Sequence, residues 1–240
     1  MLKIDNVDVY GWEAAIRGMR NPKNSWAKSD SKQIGQVLKG EEIAPGVNRT
    51  YWEACVPYTD VGPNDLKLMT TLRNAGTDHR KFMRMIVVYL DITAPLYWWK
   101  EFDTYKVGTV ADSCSTMHKI HAKEFTLSDF SHDHLMDYNL LKETIAALNF
   151  WRDIFMTGGK YYGSDKAVDI FEPKDKRAWW QLIQLLPSSY NQKRTVMLNY
   201  EVLANMYKSR KDHKLDEWHT FCDLVETLPY SELITGNKID

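Results

Sequence analysis

His79–Lys106 reads HRKFMRMIVVYLDITAPLYWWKEFDTYK, and its two halves decide the fold. Ile86-Val87-Val88-Tyr89-Leu90 is a β-branched run with the composition of a buried strand. Thr93-Ala94-Pro95 predicts the opening of a helix, with Thr93 as its N-cap and Pro95 near its first turn. That helix carries the pair Trp98-Trp99 and ends in a charged and polar run, Glu101 to Lys106. One histidine, His79, stands just before the strand.

Upstream, Leu2 to Tyr10 alternates apolar and polar residues, as a strand with one covered face does. A short helix is expected from Trp12 to Met19, ending near Asn21-Pro22. Asn24 to Gly46 is polar, with Ser-Asp-Ser and Gly-Glu-Glu clusters, and reads as a mobile surface loop with one helical turn at most. Pro63-Asn64-Asp65 starts a helix that runs to the C-cap signal Asn74-Ala75-Gly76.

Downstream, Val107 to Ser115 is small and polar, weak helical character covers Met117 to Ala122, and Phe125 to Asp133 reads as a loop. Apolar residues recur at helical spacing from Leu135 to Phe155, with a start at Ser131-His132-Asp133 and a stop at Gly158-Gly159. A further helix spans Lys176 to Leu186 before Pro187. Thr195 to Leu228 is expected to be two helices or one bent helix, with Asn199, Leu203, Met206 and Tyr207 along one side. The sum is an α+β fold, mostly helical with a small mixed sheet, in a single domain over 1–240.

Composition narrows the function classes. A net charge of −1 over 240 residues gives no long-range pull toward nucleic acid or an anionic membrane. No apolar run approaches the ~20 residues that span a bilayer, and the first residues lack an apolar signal core. Cys55, Cys114 and Cys222 are widely spaced, which argues against a disulfide framework and fits a cytoplasmic protein. Nine tryptophans and thirteen tyrosines fit either a large core with an oligomer interface or a stacking surface for a flat ring.

Metal and nucleophile readings find little support. His118-x-x-His121, His132-x-His134 and the His219/Cys222 pair have no carboxylate or thiolate framework around them, so no metal site is expected. Cys114, with His118 a helical turn away, has the makings of a nucleophile, but a free cysteine is usually inert. Gly158-Gly159-Lys160 lacks the context of a phosphate loop and reads as a helix stop.

A His before a strand, Ala94-Pro95 at a helix start, and the run Thr104-Tyr105-Lys106 at its far end resemble the central segment of the flavin-dependent thymidylate synthases. There the helix delivers an Arg-His-Arg signature. A second block resembles the same family: Leu186-Pro187, then Asn199 12 positions beyond Pro187, then Arg210 11 positions beyond Asn199. Read from the residues alone, Asn199 fits a helix start and Arg210 a solvated helix face. The resemblance covers about a third of the chain.

The resemblance implies FAD as cofactor, with NADPH and methylene-tetrahydrofolate as co-substrates, and dUMP, a pyrimidine deoxynucleotide, as substrate. It also implies a homotetramer. Arg210 is the expected catalytic residue, stabilising negative charge at a uracil carbonyl. Glu101 and Cys114 join Arg210 as substrate contacts, and His79, Tyr105, Lys106 and Asn199 are the flavin contacts. Departures from the family share a direction. Thr104, Ala111, Thr116 and Ile183 stand where it has polar or cationic groups, Glu201 where it has an Arg, and Leu215-Asp216-Glu217-Trp218 replaces Ala-Gln-x-Glu. A Thr cannot replace a bidentate Arg–phosphate contact. Either Lys100, Lys106, Lys119 or Arg194 holds the phosphate, or the chain is a catalytically inactive nucleotide-binding or protein-interaction module.

Overall fold

A residue that precedes proline is sterically driven to extended backbone, and the computed structural model shows this at the centre of the fold. Strand β4 (Val87–Pro95) runs through Ala94 and ends at Pro95, whose ψ of 151° is still extended. Helix α3 (Leu96–Phe102) starts only after it. Thr93 is therefore a strand residue and not the expected N-cap. Pro95 takes that position and has no side-chain acceptor, so backbone carbonyls serve instead. Leu96 N–H donates to the Tyr190 carbonyl and Tyr97 N–H to that of Ser188, both at 3.0 Å.

The structure describes residues 2–37, 55–163 and 168–236. The elements form an α+β fold, mostly helical, with one four-stranded sheet and two two-stranded ribbons. Contacts divide the chain into two compact units. One comprises Met1–Asp8, Tyr89–Leu198 and Ser209–Leu224, the other Val9–Val88, Asn199–Lys208 and Val225–Asp240.

In the first unit the sheet is ordered β1 (Lys3–Tyr10), β4, β8 (Asn191–Asn199), β5 (Val110–Ser113). β5 pairs antiparallel with β8, Val110 facing Met197 and Ser113 facing Arg194. Thr195–Asn199, expected to be helical, is thus strand. Its buried Val196 and Leu198 alternate with less buried neighbours, a period of two that a helix would not keep. Part of the aromatic surplus fills a core in which Trp98 packs on Trp99, Phe102, Trp218 and Phe221 at ring separations of 4.7–5.9 Å, while others, Trp26, Tyr162 and Trp180 among them, are exposed. A second core gathers Phe125, Phe130, Leu148 and Leu182, with Ile183 against it. The long helix α5 (Asn139–Thr157) starts later than Ser131-His132-Asp133 and stops at Gly158, where φ is +75°. The unexpected ribbon β6 (Gly159–Tyr162)/β7 (Val168–Phe171) follows it. Helix α6 (Lys176–Leu185) ends before Pro187 as expected.

The second unit holds α1 (Trp12–Arg20), the ribbon β2 (Lys32–Val37)/β3 (Cys55–Asp60), α2 (Pro63–Asn74), most of α7 (Tyr200–Arg210) and α9 (Glu232–Thr235). Trp12 meets Tyr200 and Tyr230 edge-on at 5.2 and 5.0 Å. Gly11 sits at φ +97°, and a Cβ there would lie 1.9 Å from the Met85 carbonyl oxygen, so no other residue fits. Ser29-Asp30-Ser31, expected in a mobile loop, is instead tied to α2. The Asp30 carboxylate accepts from Asn64 N and Asp65 N at 2.9 and 3.1 Å, capping the helix. Both serine hydroxyls donate to Asp65. Of the rest of that expected loop, Trp26–Lys28 forms the one helical turn, a 3-10 turn, Lys32–Val37 is the strand β2, and residues 38–46 lie outside the described residues.

Candidate site around Glu101 and Arg210

In the first unit the end of α3 and the turn between α7 and α8 (Asp216–Glu226) supply one polar cluster. Phe102, fully buried, anchors the last turn of α3, so Glu101 and then Tyr105 project from its far end. Arg210 closes α7, and the His213 N–H donates back to the Arg210 carbonyl at 3.0 Å. Trp218, also fully buried, fixes the other side.

Glu101 is the hub. Its Oε2 accepts from Arg210 Nη1 at 2.6 Å and from Trp218 Nε1 at 3.0 Å, and lies 3.2 Å from His213 Nε2. His213 Nδ1 accepts the Leu215 N–H at 3.2 Å, which places a proton on Nε2, toward Glu101. Arg210 Nε donates to the Tyr105 hydroxyl at 2.9 Å. The guanidinium carbon lies 4.8 Å from the Trp218 ring centroid and 5.5 Å from that of Tyr105, within cation–π range. Nη2 makes no hydrogen bond among the described residues, and the Arg210 side chain is 17% exposed. One face of a fixed guanidinium, edged by two aromatic rings, therefore remains for a ligand acceptor.

Beside the cluster, the Tyr97 hydroxyl donates to the buried Glu217. Burial first, and the neighbouring carboxylate second, push the Tyr97 phenol above its ordinary pKa, so it stays a donor. Three of the expected site residues, Glu101, Tyr105 and Arg210, are thus brought together. His213, Trp218, Tyr97 and Glu217 belong to the same arrangement and were not anticipated. Arg210 is no solvated helix face.

The remaining expected residues of this unit stand apart. The Cys114 thiol is exposed; its peptide carries the contacts, N–H to the Lys193 carbonyl and C=O from Gln192 Nε2. Lys106 is exposed and makes no ion pair among the described residues, as do Lys100 and Lys119. Arg194 is committed: it pairs with Asp103 at 2.7 Å, bonds Gln192, and lies 4.1 Å over the Trp99 ring. The Thr104 hydroxyl donates to the Glu101 carbonyl at 2.7 Å, and Ile183 packs on the apolar core.

In the second unit His79 is exposed, ahead of a short 3-10 helix at Arg80–Met85. Asn199 Oδ1 accepts the Val202 N–H at 3.0 Å, so this side chain starts α7. Glu201 receives Arg80 at 3.2 Å and also Arg84. Burial works against its charge, but the hydrogen bonds from Arg84 and Arg80 prevail and hold the carboxyl below its ordinary pKa. Among the described residues no group of three or more His, Cys, Asp and Glu could hold a metal ion, and no helix is long and apolar enough to cross a membrane.

No family model matches the sequence, and no curated protein does either. Solved structures do match. Thymidylate synthase X (ThyX) of Helicobacter pylori, with FAD and dUMP, superposes with a TM-score of 0.63 at 13% identity, covering 98% of each chain. A second structure of that enzyme, described as flavin-dependent and again complexed with FAD and dUMP, gives 0.62 at 13%, covering 97% of this chain and 99% of that one. At this identity the likeness is one of fold.

Proposed function

We propose that the chain is a divergent flavin-dependent thymidylate synthase-like protein that binds a pyrimidine deoxynucleotide, dUMP or a close relative, through Arg210. The carrying observation is the guanidinium itself, held by Glu101 and Tyr105 with Nη2 left over. A uracil carbonyl placed against Nη2 receives a charge-assisted hydrogen bond, and negative charge growing on that oxygen is stabilised where the donor is already oriented. Trp218 and Tyr105 limit water on either side. Glu101 holds the guanidinium in place, and Trp218 and His213 set two further donors on the same carboxylate.

The donor set fits FAD in kind. Tyr105 and Lys106, in the first unit, offer a phenol and an exposed ammonium, and His79, in the second, an exposed imidazole, each a donor of a kind suited to flavin carbonyls or phosphate; the Asn199 oxygen already starts α7. A bound flavin, reduced by NADPH, supplies the hydride for reductive methylation by methylene-tetrahydrofolate. The proposal extends to a cytoplasmic homotetramer built from one domain per chain, with Cys114 as a further substrate contact.

A second reading, an inactive nucleotide-binding or interaction module, is favoured by one observation. Ile183 stands in an apolar core, and Glu201 occupies both Arg80 and Arg84, so these positions offer no cation to a phosphate. Titration of the purified protein with FAD, with and without dUMP, separates the two. Saturable FAD binding tightened by dUMP, with flavin absorbance near ~450 nm, supports the enzyme reading. Binding of neither ligand removes it.

A further inference from the structure

A cavity of about 330 Å³ in the first unit, outside the Glu101 cluster, is lined by Met117, His118, His121, Phe155, Lys174, Lys176 and Trp179. Helix α4 (Thr116–Lys119), the turn after it, α5 and the start of α6 supply these side chains. Three features set it apart from ordinary surface relief. Its charged lining is of one sign: two ammonium groups, neither in an ion pair among the described residues, and no carboxylate. Asp175, between the two lysines, is turned to Arg177 and the Arg177 N–H. His121 Nδ1 is buried with no hydrogen-bond partner among the described residues, while its ring lies 4.8 Å from that of Phe155. Buried polar atoms are normally satisfied, so an unpartnered imidazole nitrogen on a residue that lines a cavity calls for a partner. Finally, Lys174 is held at φ +66°, where a lysine is uncommon, with its N–H on the Phe155 carbonyl. Backbone strain of this kind collects at functional positions.

We propose that this cavity binds a small planar ring bearing a phosphomonoester, the anion held by Lys174, Lys176 and the imidazoles, and the ring set against Trp179 and Phe155. The volume is at the lower end for ligand sites, which suits a single ring with its phosphate and is too small for a dinucleotide. Trp179 is fixed for the task by its Nε1–H on the Met117 carbonyl at 3.1 Å. Burial first, and then Lys119, Arg152 and Lys174, lower the His121 pKa, which favours the neutral imidazole. None of these residues takes part in the Arg210 site, so failure of FAD to bind, or loss of dUMP binding in Arg210→Ala, leaves the inference untouched.

The test is a titration of the full chain, ¹⁵N-labelled at tryptophan, with phenyl phosphate, inorganic phosphate and phenol. The Trp179 indole signal, assigned with Trp179→Phe, is followed. Saturable shifts are expected with phenyl phosphate, at an affinity at least about tenfold above that of phosphate or phenol alone. Lys174→Gly removes the ammonium while relieving the left-handed backbone, so the fold persists and Tm holds or rises. It should weaken phenyl phosphate about fivefold or more, and Lys174→Gly/Lys176→Gln should abolish saturation. Arg210→Ala should leave the titration unchanged. Absence of saturation, equal binding of phenol, indifference to the lysine changes, or loss in Arg210→Ala would each overturn the inference.

Discussion

Two arginines of this chain each grip a carboxylate, Arg20 in one unit and Arg210 in the other, and they are used differently. Arg20 and Asp65 are 4% and 0% exposed at the side chain and paired at 2.6 Å. Every nitrogen of that guanidinium is spent: Nε on Asp65, Nη1 on the Ser25 carbonyl, Nη2 on that of Lys28. Asp65 is equally saturated, taking Ser29 and Ser31 hydroxyls and the amides of Asp30 and Ser31. The Arg210–Glu101 pair is 17% and 34% exposed, edged by aromatic rings, with no hydrogen bond on Nη2 among the described residues. A saturated buried pair can only hold the fold together. A half-exposed pair with a spare donor costs little stability to break and has something to offer a ligand.

The sharpest break of that contrast is Asp65→Ala. Removing one partner of a buried pair leaves Arg20 uncompensated and should cost about 3–5 kcal/mol in urea unfolding. A loss below about 1 kcal/mol would place Asp65 among ordinary surface pairs. The pH dependence has a definite sign. Burial raises the Asp65 pKa, but hydrogen bonds from Ser29, Ser31 and Arg20 outweigh it and hold it below the ordinary carboxylate value. A depressed folded pKa stabilises the protein above the unfolded value of about 3.9, and that stability is lost as pH falls through the folded value. The stability of the parent chain should therefore fall below about pH 4 more steeply than that of Asp65→Asn.

Arg210→Ala is the converse. Its pair is partly solvated, so stability should change by no more than about 1 kcal/mol. Binding of dUMP should fall roughly 10- to 100-fold, the worth of one hydrogen bond from a charged donor. Calorimetric titration alongside urea unfolding reads both. Unchanged dUMP affinity would sink the assignment of Arg210 to the nucleotide. A stability loss as large as that of Asp65→Ala would erase the distinction between the two pairs.

How far the sequence anticipated this contrast depends on where each signal resides. Pro63, Gly76, Gly158 and Pro187 punctuate helices locally, and α2, α6 and the end of α5 were legible from them. β5 was not, because all four of its residues are exposed and no alternation marks it; pairing with β8 makes it a strand. The hidden role of Ser29-Asp30-Ser31 has the same cause, since polar residues that cap a helix more than thirty positions away look like loop. At the site, Glu101, Tyr105 and Arg210 could be named from the resemblance to the flavin-dependent thymidylate synthases. His213 and Trp218 could not, although they follow Arg210 closely in the chain, because what selects them is a carboxylate over a hundred residues distant.

Thr104→Arg probes the smallest effect and the register of the resemblance itself. Thr104 is exposed and its hydroxyl bonds only the Glu101 carbonyl at the end of α3, so losing it should shift stability by about 0.5 kcal/mol or less. A guanidinium there also meets the carbonyl end of a helix, where positive charge is favourable. Tyr105 is left in place, because its hydroxyl accepts Arg210 Nε and a histidine would disturb the very group under study. If Thr104 occupies the position of the family's first signature arginine, the new side chain adds one charge-assisted hydrogen bond to a phosphate or flavin oxygen. FAD affinity should then rise about tenfold. No gain, with the fold intact by circular dichroism, would mean that the end of α3 does not face the cofactor. The open edge of Arg210 would then serve a ligand other than a nucleotide bound beside a flavin.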